Sequence, residues 1–172
     1  VSFHNARWKK TNMIASLRTA DSWLSEYRCI VSYSDIFFEA SAINLLKDSS
    51  ADIALMFDRR WLDIWQKRFV DPLTDAETFR LSDDCSLIEI GNTPQTVSQV
   101  DGQFMGIWII RPSAWTEAKQ LLDGLPSVVQ DSIDTTGLLM RWIASNRARI
   151  EAIPYEGVWG EVDNQDDLKM YE

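Results

Sequence analysis

Apolar positions between Thr11 and Tyr27 recur three and four residues apart: Met13, Leu17, Ala20 and Leu24, with Ile14 widening the stripe. That spacing predicts an amphipathic helix. The pattern then changes to short continuous apolar runs, first Cys29-Ile30-Val31 and later Ile53 to Phe57. Continuous rather than alternating hydrophobicity suits parallel strands buried on both faces. Between the runs, Glu39 to Lys47 predicts a second helix with Ile43 and Leu46 inward. Helix, strand, helix, strand implies parallel strands joined by crossover connections.

The middle of the chain reads differently. Thr78 to Leu81 and Ser86 to Ile90 flank Ser82-Asp83-Asp84-Cys85, the pattern of a hairpin. Gln103 to Arg111 is a longer apolar strand, and Pro112-Ser113 opens a helix through Leu122. Thr135 to Ala144 predicts a further helix, with Leu138, Leu139, Trp142 and Ile143 on one face. Strands at Arg149 to Ile153 and Val158 to Val162 precede a terminal helix starting near Asn164. No repeat, low-complexity tract or linker interrupts the pattern, so residues 1–172 read as one domain. The expected fold is a mixed, mostly parallel α/β sandwich with an antiparallel excursion.

Composition narrows the function classes. The 172 residues are 45% hydrophobic and 25% charged, which excludes wholesale disorder. A net charge of −9 argues against a nucleic-acid or anionic-membrane surface. The longest apolar run, Phe104 to Ile110, is only strand-sized, and the start shows no signal-peptide pattern. Cys29 and Cys85 make neither a disulfide framework nor a metal knuckle. A cytoplasmic protein is expected.

Candidate chemistry sits at strand ends, where open α/β sheets bind ligands. Asp35 follows the Cys29–Val31 run and Asp163 follows the Val158–Val162 run. Two such carboxylates in one crevice suit Mg²⁺, which takes few protein oxygens plus waters and phosphates. Glu161 points to the same side of its strand as Asp163 and is a third candidate ligand. The alternatives are structural. Asp163 precedes Asn164-Gln165-Asp166-Asp167, a helix start, and from spacing alone a cap is the better reading. Asp35 reads equally as a cap or turn residue, and Asp58-Arg59-Arg60 as a salt-bridged strand exit. His4 is the only histidine and supports no nucleophilic triad. There is no G-x-G-x-x-G and no P-loop. Trp61 and Trp65 are four apart, so they form an aromatic wall for a cationic ligand or pack in the core, where Trp142 also belongs.

Several segments together resemble the bacterial nucleotidyltransferase family that contains the phosphocholine cytidylyltransferases. Thr11-Asn12-Met13-Ile14-Ala15-Ser16-Leu17 is similar to the family's T-N-N-x-x-S-L, and Tyr33-Ser34-Asp35-Ile36-Phe37-Phe38 to its Y-[GS]-D-I-x-F. Asp71-Pro72-Leu73-Thr74-Asp75-Ala76-Glu77 resembles D-P-L-[ST]-D-A-E, and Gly102-Gln103-Phe104-Met105-Gly106 resembles G-[QE]-[YF]-[MI]-G. Trp159-Gly160-Glu161-Val162-Asp163 with Asp166-Asp167-Leu168 resembles W-x-E-[IV]-D-x-x-x-D-L.

The resemblance implies a Rossmann-like nucleotidyltransferase sandwich with helices on both faces, and transfer of a nucleoside monophosphate from a nucleoside triphosphate to a small phosphorylated acceptor. It implies Mg²⁺ on Asp35, Asp163 and Glu161, with Asp35 and Asp163 catalytic, and Asn12 and Ser16 on the nucleotide side. Tyr33, Trp61, Trp65 and Trp159 are expected to form the acceptor wall, and CMP and phosphocholine are the expected nucleotide and acceptor. A sugar 1-phosphate acceptor and a non-catalytic binding module are the rivals. The family's opening strand, its Gly-rich G-x-G-x-R loop and the Lys after it have no counterpart here, and the chain starts at Val1. The N-terminal strands are therefore expected to be missing, and the chain is read as a C-terminal fragment of its domain.

Overall fold

The computed structural model describes residues 1–147 and 149–171. In chain order these carry α1 (Met13–Leu17), α2 (Asp21–Leu24), β1 (Cys29–Ser32), β2 (Ile36–Phe38), α3 (Ala40–Asp48), β3 (Ile53–Asp58) and α4 (Trp61–Arg68). There follow β4 (Phe79–Leu81), β5 (Leu87–Ile90), β6 (Gln103–Ile110), α5 (Pro112–Asp123), α6 (Ser127–Ser132) and α7 (Thr135–Ser145). The last elements are β7 (Ile150–Pro154), β8 (Trp159–Glu161) and α8 (Gln165–Tyr171).

The central sheet has the order β1-β6-β3-β7. β6 lies antiparallel between β1 and β3, and β7 pairs parallel with β3. Three strands thus share one direction and β6 runs against them. β1 and β3 do run the same way, as the crossover reading requires, but they are not neighbours. β6 separates them because it is the longest strand and is buried at every residue. Such a strand exposes no apolar surface only when it has a partner on each edge and cover on each face. β3 is likewise buried throughout, whereas β1, at the sheet edge, is only half-buried.

The expected hairpin forms from β4 and β5. An unanticipated ribbon pairs β2 with β8. The helix expected over Thr11–Tyr27 is broken: a 3₁₀ turn at Arg18–Ala20 separates α1 from α2. There the Thr19 hydroxyl donates to the Ser16 carbonyl and competes with the helical ladder. The core is dominated by large side chains. Trp108, Trp115 and Trp142 are fully buried, with Phe57, Phe79 and Leu55 among them.

Two glycines fix the path of β6 toward the site. A Cβ on Gly102 would stand 2.3 Å from the Phe57 ring. Gly106 has φ +74°, and a Cβ there would stand 2.6 Å from the Tyr33 ring. The β3–β6 register shifts between Leu55 and Phe57, so the strand bulges where Tyr33 must lie across it. This accounts physically for the two glycines of Gly102-Gln103-Phe104-Met105-Gly106.

Candidate functional site

The β2–β8 ribbon joins the two segments that carry the candidate carboxylates. Ile36 lies opposite Glu161, and the Val162 N–H donates to the Asp35 carbonyl at 2.9 Å. Asp35 and Asp163 therefore leave adjacent backbone at one rim of the fold. Asp35 itself is exposed.

The guanidinium of Arg68, at the end of α4, organises the other side. It donates to Glu161 Oε2 at 2.9 Å, to Asp163 Oδ2 at 2.8 Å and to Asp167 Oδ1 at 3.1 Å. Its side chain is 1% exposed and lies over the rings of Trp65 and Phe69. Burial works against its charge, but the carboxylates of Asp167 and Glu161 outweigh burial and hold it protonated. Asp163 is not the cap that spacing favoured. Asn164 Oδ1 accepts from the Asp166 and Asp167 N–H groups, while Asp167 Oδ2 accepts from the Asp163 N–H and the Asn164 amide. With the helix start satisfied this way, the Asp163 carboxylate turns to Arg68. Burial pushes the Glu161 carboxyl up, Arg68 draws it back, and Asp163 and Asp35 add repulsion; the balance is a raised value.

Beside this cluster lies a cavity of about 250 Å³. Its lining combines the aromatic rings of Tyr33, Trp65, Phe104 and Trp159 with the carboxylates of Asp75, Glu77, Asp134, Glu161 and Asp163. Burial pushes Asp75 and Glu77 up, against the Arg68 charge for Asp75 and a hydrogen bond from Thr136 for Glu77. Burial likewise pushes the Tyr33 hydroxyl up to about 12. A second recess, of about 340 Å³, is lined by Met13, Leu17, Ser34, Asp35 and Thr135. Tyr33 and Met13 line both spaces, so one wall separates them.

The sequence-derived candidates divide accordingly. Tyr33, Trp65, Trp159, Glu161 and Asp163 line the first cavity, and Asp35 lines the second. Trp61 does not reach the cavity, which corrects the expectation for it. It is 2% exposed and its indole N–H donates to the Val100 carbonyl, so it packs edge-on behind Trp65 in the core. Asn12 and Ser16 line neither space. Asn12 caps α1 and donates to the Ser132 carbonyl, and Ser16 accepts from the Asn5 amide; both stand on the helix whose Met13 and Leu17 face the second recess. Asp58 is no salt-bridged strand exit. It is 3% exposed, accepts the Arg60 N–H and takes the Trp159 indole N–H at 2.9 Å, which anchors that ring at the cavity.

Among the described residues, no group of three or more His, Cys, Asp or Glu gathers closely enough to hold a metal alone. The donor set still fits Mg²⁺, which binds through one or two carboxylates completed by water and phosphate oxygens. Asp35 is exposed, and Asp163 and Glu161 each keep one oxygen clear of Arg68. Sequence reasoning assigned no role to Arg68, Asp75, Glu77, Gln103 or Asp134. Three of these, Asp75, Glu77 and Gln103, belong to segments whose family likeness was evident, and that was the available signal.

Comparison with known proteins adds the following. No protein-family model matches the chain. Its fold is shared with two solved structures. One is an inositol-1-phosphate CTP transferase from T. maritima, with TM-score 0.71 and 13% identity, covering 97% of this chain and 62% of that one. The other is described as a glucose-1-phosphate thymidylyltransferase from Bacillus anthracis in complex with a sucrose, with TM-score 0.69 and 13% identity, covering 94% of this chain and 60% of that one. In sequence, the chain is 24% identical over 178 residues to the CTP:phosphoglutamine cytidylyltransferase of Campylobacter jejuni, covering 98% of the chain and 70% of that protein. The chain is thus similar to nucleotidyltransferases, weakly in sequence and closely in fold. The chain spans about three fifths of the length of the two solved structures. Among the described residues, no helix is long and apolar enough to cross a membrane.

Proposed function

We propose that this chain forms the acceptor side of a nucleotidyltransferase. A nucleoside monophosphate, CMP by preference, passes from its triphosphate to a small phosphorylated acceptor with a cationic, nitrogen-bearing head. An oxygen of the acceptor's phosphate bonds to the α-phosphorus, the bond from that phosphorus to the β-phosphate oxygen breaks, and pyrophosphate leaves. The observation that carries this reading is the cavity lined by aromatic rings and carboxylates, which shares Tyr33 and Met13 with the recess at Asp35. The sequence likeness to a cytidylyltransferase named for a nitrogenous acceptor supports it.

The residues divide the work. Trp65, Trp159 and Tyr33 take the acceptor's head against ring faces, while the carboxylates of the cavity supply long-range attraction. Met13 and Leu17 shape the nucleotide recess, with Asn12 and Ser16 on the same helix. Asp35 and Asp163, the proposed catalytic pair, approach the shared wall from its two sides, where the two phosphates must meet. Together with Glu161 they are the proposed Mg²⁺ ligands; when bound, the ion neutralises phosphate charge so that two polyanions can approach. Positioning and charge neutralisation supply most of the catalysis in transfers of this kind.

A sugar 1-phosphate would need several neutral polar side chains to satisfy its hydroxyls, whereas this cavity is lined mainly by aromatic rings and carboxylates, with Gln103 and Thr136 beside them. The deciding experiment follows pyrophosphate release by the full chain with CTP and either phosphocholine, phosphoethanolamine or glucose 1-phosphate. Release with a nitrogenous phosphate ester is expected. Release with the sugar phosphate alone would replace the acceptor assignment, and release with none would leave a binding module.

A further inference from the structure

We propose that Arg68 is a positioning residue for the proposed metal ligands: its guanidinium aims the carboxylates of Glu161 and Asp163, and does so by shape as well as by charge. This rests on the Mg²⁺ reading above and adds a residue that touches neither substrate nor ion. The hydrogen bonds carry it. Arg68 Nη1 donates to Glu161 Oε2 and Nη2 to Asp163 Oδ2. Among the described residues, no other donor reaches either carboxylate, so both directions depend on this one side chain.

The guanidinium is itself fixed before it meets them. Asp167 takes the opposite edge of the fork, with Oδ1 3.1 Å from Nε and Oδ2 3.3 Å from Nη2. The Trp65 and Phe69 rings lie 5.3 and 5.1 Å from its central carbon. A planar fork held this way presents its remaining N–H groups in set directions. Glu161 and Asp163 are 24% and 49% exposed, so their bonds to Arg68 add little stability. What those bonds set is orientation: one oxygen of each carboxylate is taken and the other left for a ligand. Three carboxylates against one guanidinium leave negative charge in excess, so the cluster still attracts a cation with Arg68 in place. Lysine would keep the charge, but its single ammonium cannot reproduce the fork.

Mn²⁺ titration of the full chain, followed by electron paramagnetic resonance, tests the proposal with Arg68→Lys and Arg68→Met. Circular dichroism sets a temperature at which each variant is folded. Arg68→Lys is expected to weaken Mn²⁺ binding about tenfold, the usual cost of losing a group that orients a metal ligand. Arg68→Met gives a second reading. If Arg68 were only a counter-charge, removing it would tighten Mn²⁺ binding, whereas loss of positioning weakens it. Parent-like binding in the Lys variant, or tighter binding in the Met variant, would overturn the inference and leave the metal site standing. No Mn²⁺ binding by the parent would remove the metal site and this role with it. Pyrophosphate release by the parent is read separately: weaker Mn²⁺ binding in the variants without release by the parent keeps the positioning role and removes the proposed transfer.

Discussion

Arg68 Nη2 lies 2.8 Å from Asp163 Oδ2, across 95 residues of sequence. The same guanidinium reaches Glu161 and Asp167. One buried cation thus holds the last strand and the last helix to α4, and sets which carboxylate oxygens remain for a ligand. Asp163 is 49% exposed, so that bond alone is worth little. Asp167, at 7%, is the costly partner to abandon. Arg68→Met is expected to lower unfolding free energy by about 3 kcal/mol, because it strands buried charge; Arg68→Lys should lose less. Urea denaturation followed by tryptophan fluorescence measures both, and a loss below about 1 kcal/mol for Met would show that the carboxylates repair themselves with water.

The same cluster fixes a pH dependence. Burial opposes the charge of Asp167, but hydrogen bonds from Arg68 and from the Asp163 and Asn164 N–H groups overcome it and lower its carboxyl. A lowered folded value contributes stability above the unfolded value of about 3.9, and that contribution is lost as pH falls through the folded value. Glu77 has the opposite sign, since burial raises it. Its ionised form destabilises the fold at neutral pH, and the penalty vanishes below its unfolded value of about 4.3. Glu77→Gln should therefore be more stable than the parent at pH 7 and equal to it near pH 3.5. Denaturation curves at the two pH values check the sign.

The strands most legible in the sequence are those whose burial is complete. β3 and β6 show as continuous apolar runs because both faces are covered. Their order in the sheet was not legible, since nothing local in Gln103–Arg111 says that it inserts between β1 and β3. The strand-end positions of Asp35 and Asp163 were readable from where apolar runs stop. Arg68 was not, because three of its partners lie more than 90 residues away and an arginine at a helix end usually marks only a solvated terminus. Trp61 and Trp65 share a helical face as spacing requires, but spacing cannot say which ring borders a cavity and which packs behind it. Burial of the Trp61 indole against Val100 decides that.

Trp159 and Trp61 should respond differently to loss of the indole N–H. Trp159 donates to Asp58, a carboxylate buried to 3% exposure, and also lines the cavity. Trp159→Phe is expected to destabilise by about 1–3 kcal/mol through the unpaired oxygen and to weaken acceptor binding. Trp61→Phe removes a bond to a backbone carbonyl away from the cavity, so binding should stay within about twofold of the parent while stability falls by about 1 kcal/mol. Thermal melts and acceptor titrations on the two variants separate these effects. Equal losses of binding would place Trp61 in the wall after all.

Gly106→Ala should be damaging for two reasons that act together. Its φ of +74° disfavours any Cβ by about 1–2 kcal/mol, and that Cβ would press on the Tyr33 ring. Because Tyr33 divides the two recesses, its displacement should weaken acceptor binding beyond what the stability loss explains. Ligand titration at a temperature where the variant is fully folded checks this. Undiminished binding would mean that Tyr33 is not the dividing wall.

Asp35 and Asp163 should separate turnover from folding. Asp35 is exposed, and Asp163 is half-exposed with Arg68 keeping two other carboxylates. Asn at either position should therefore change stability by less than about 1 kcal/mol. If the two carboxylates share Mg²⁺ with the substrate phosphates, turnover should fall by about a hundredfold or more, since charge neutralisation of transferring phosphates is worth several kcal/mol. The requirement for Mg²⁺ should also move to higher concentration. A binding readout makes the test independent of turnover: Mn²⁺ titration followed by electron paramagnetic resonance should show weaker binding in both variants. Unchanged Mn²⁺ affinity in Asp35→Asn would remove Asp35 from the metal site and leave Asp163 and Glu161 to hold the ion from the acceptor side of the wall.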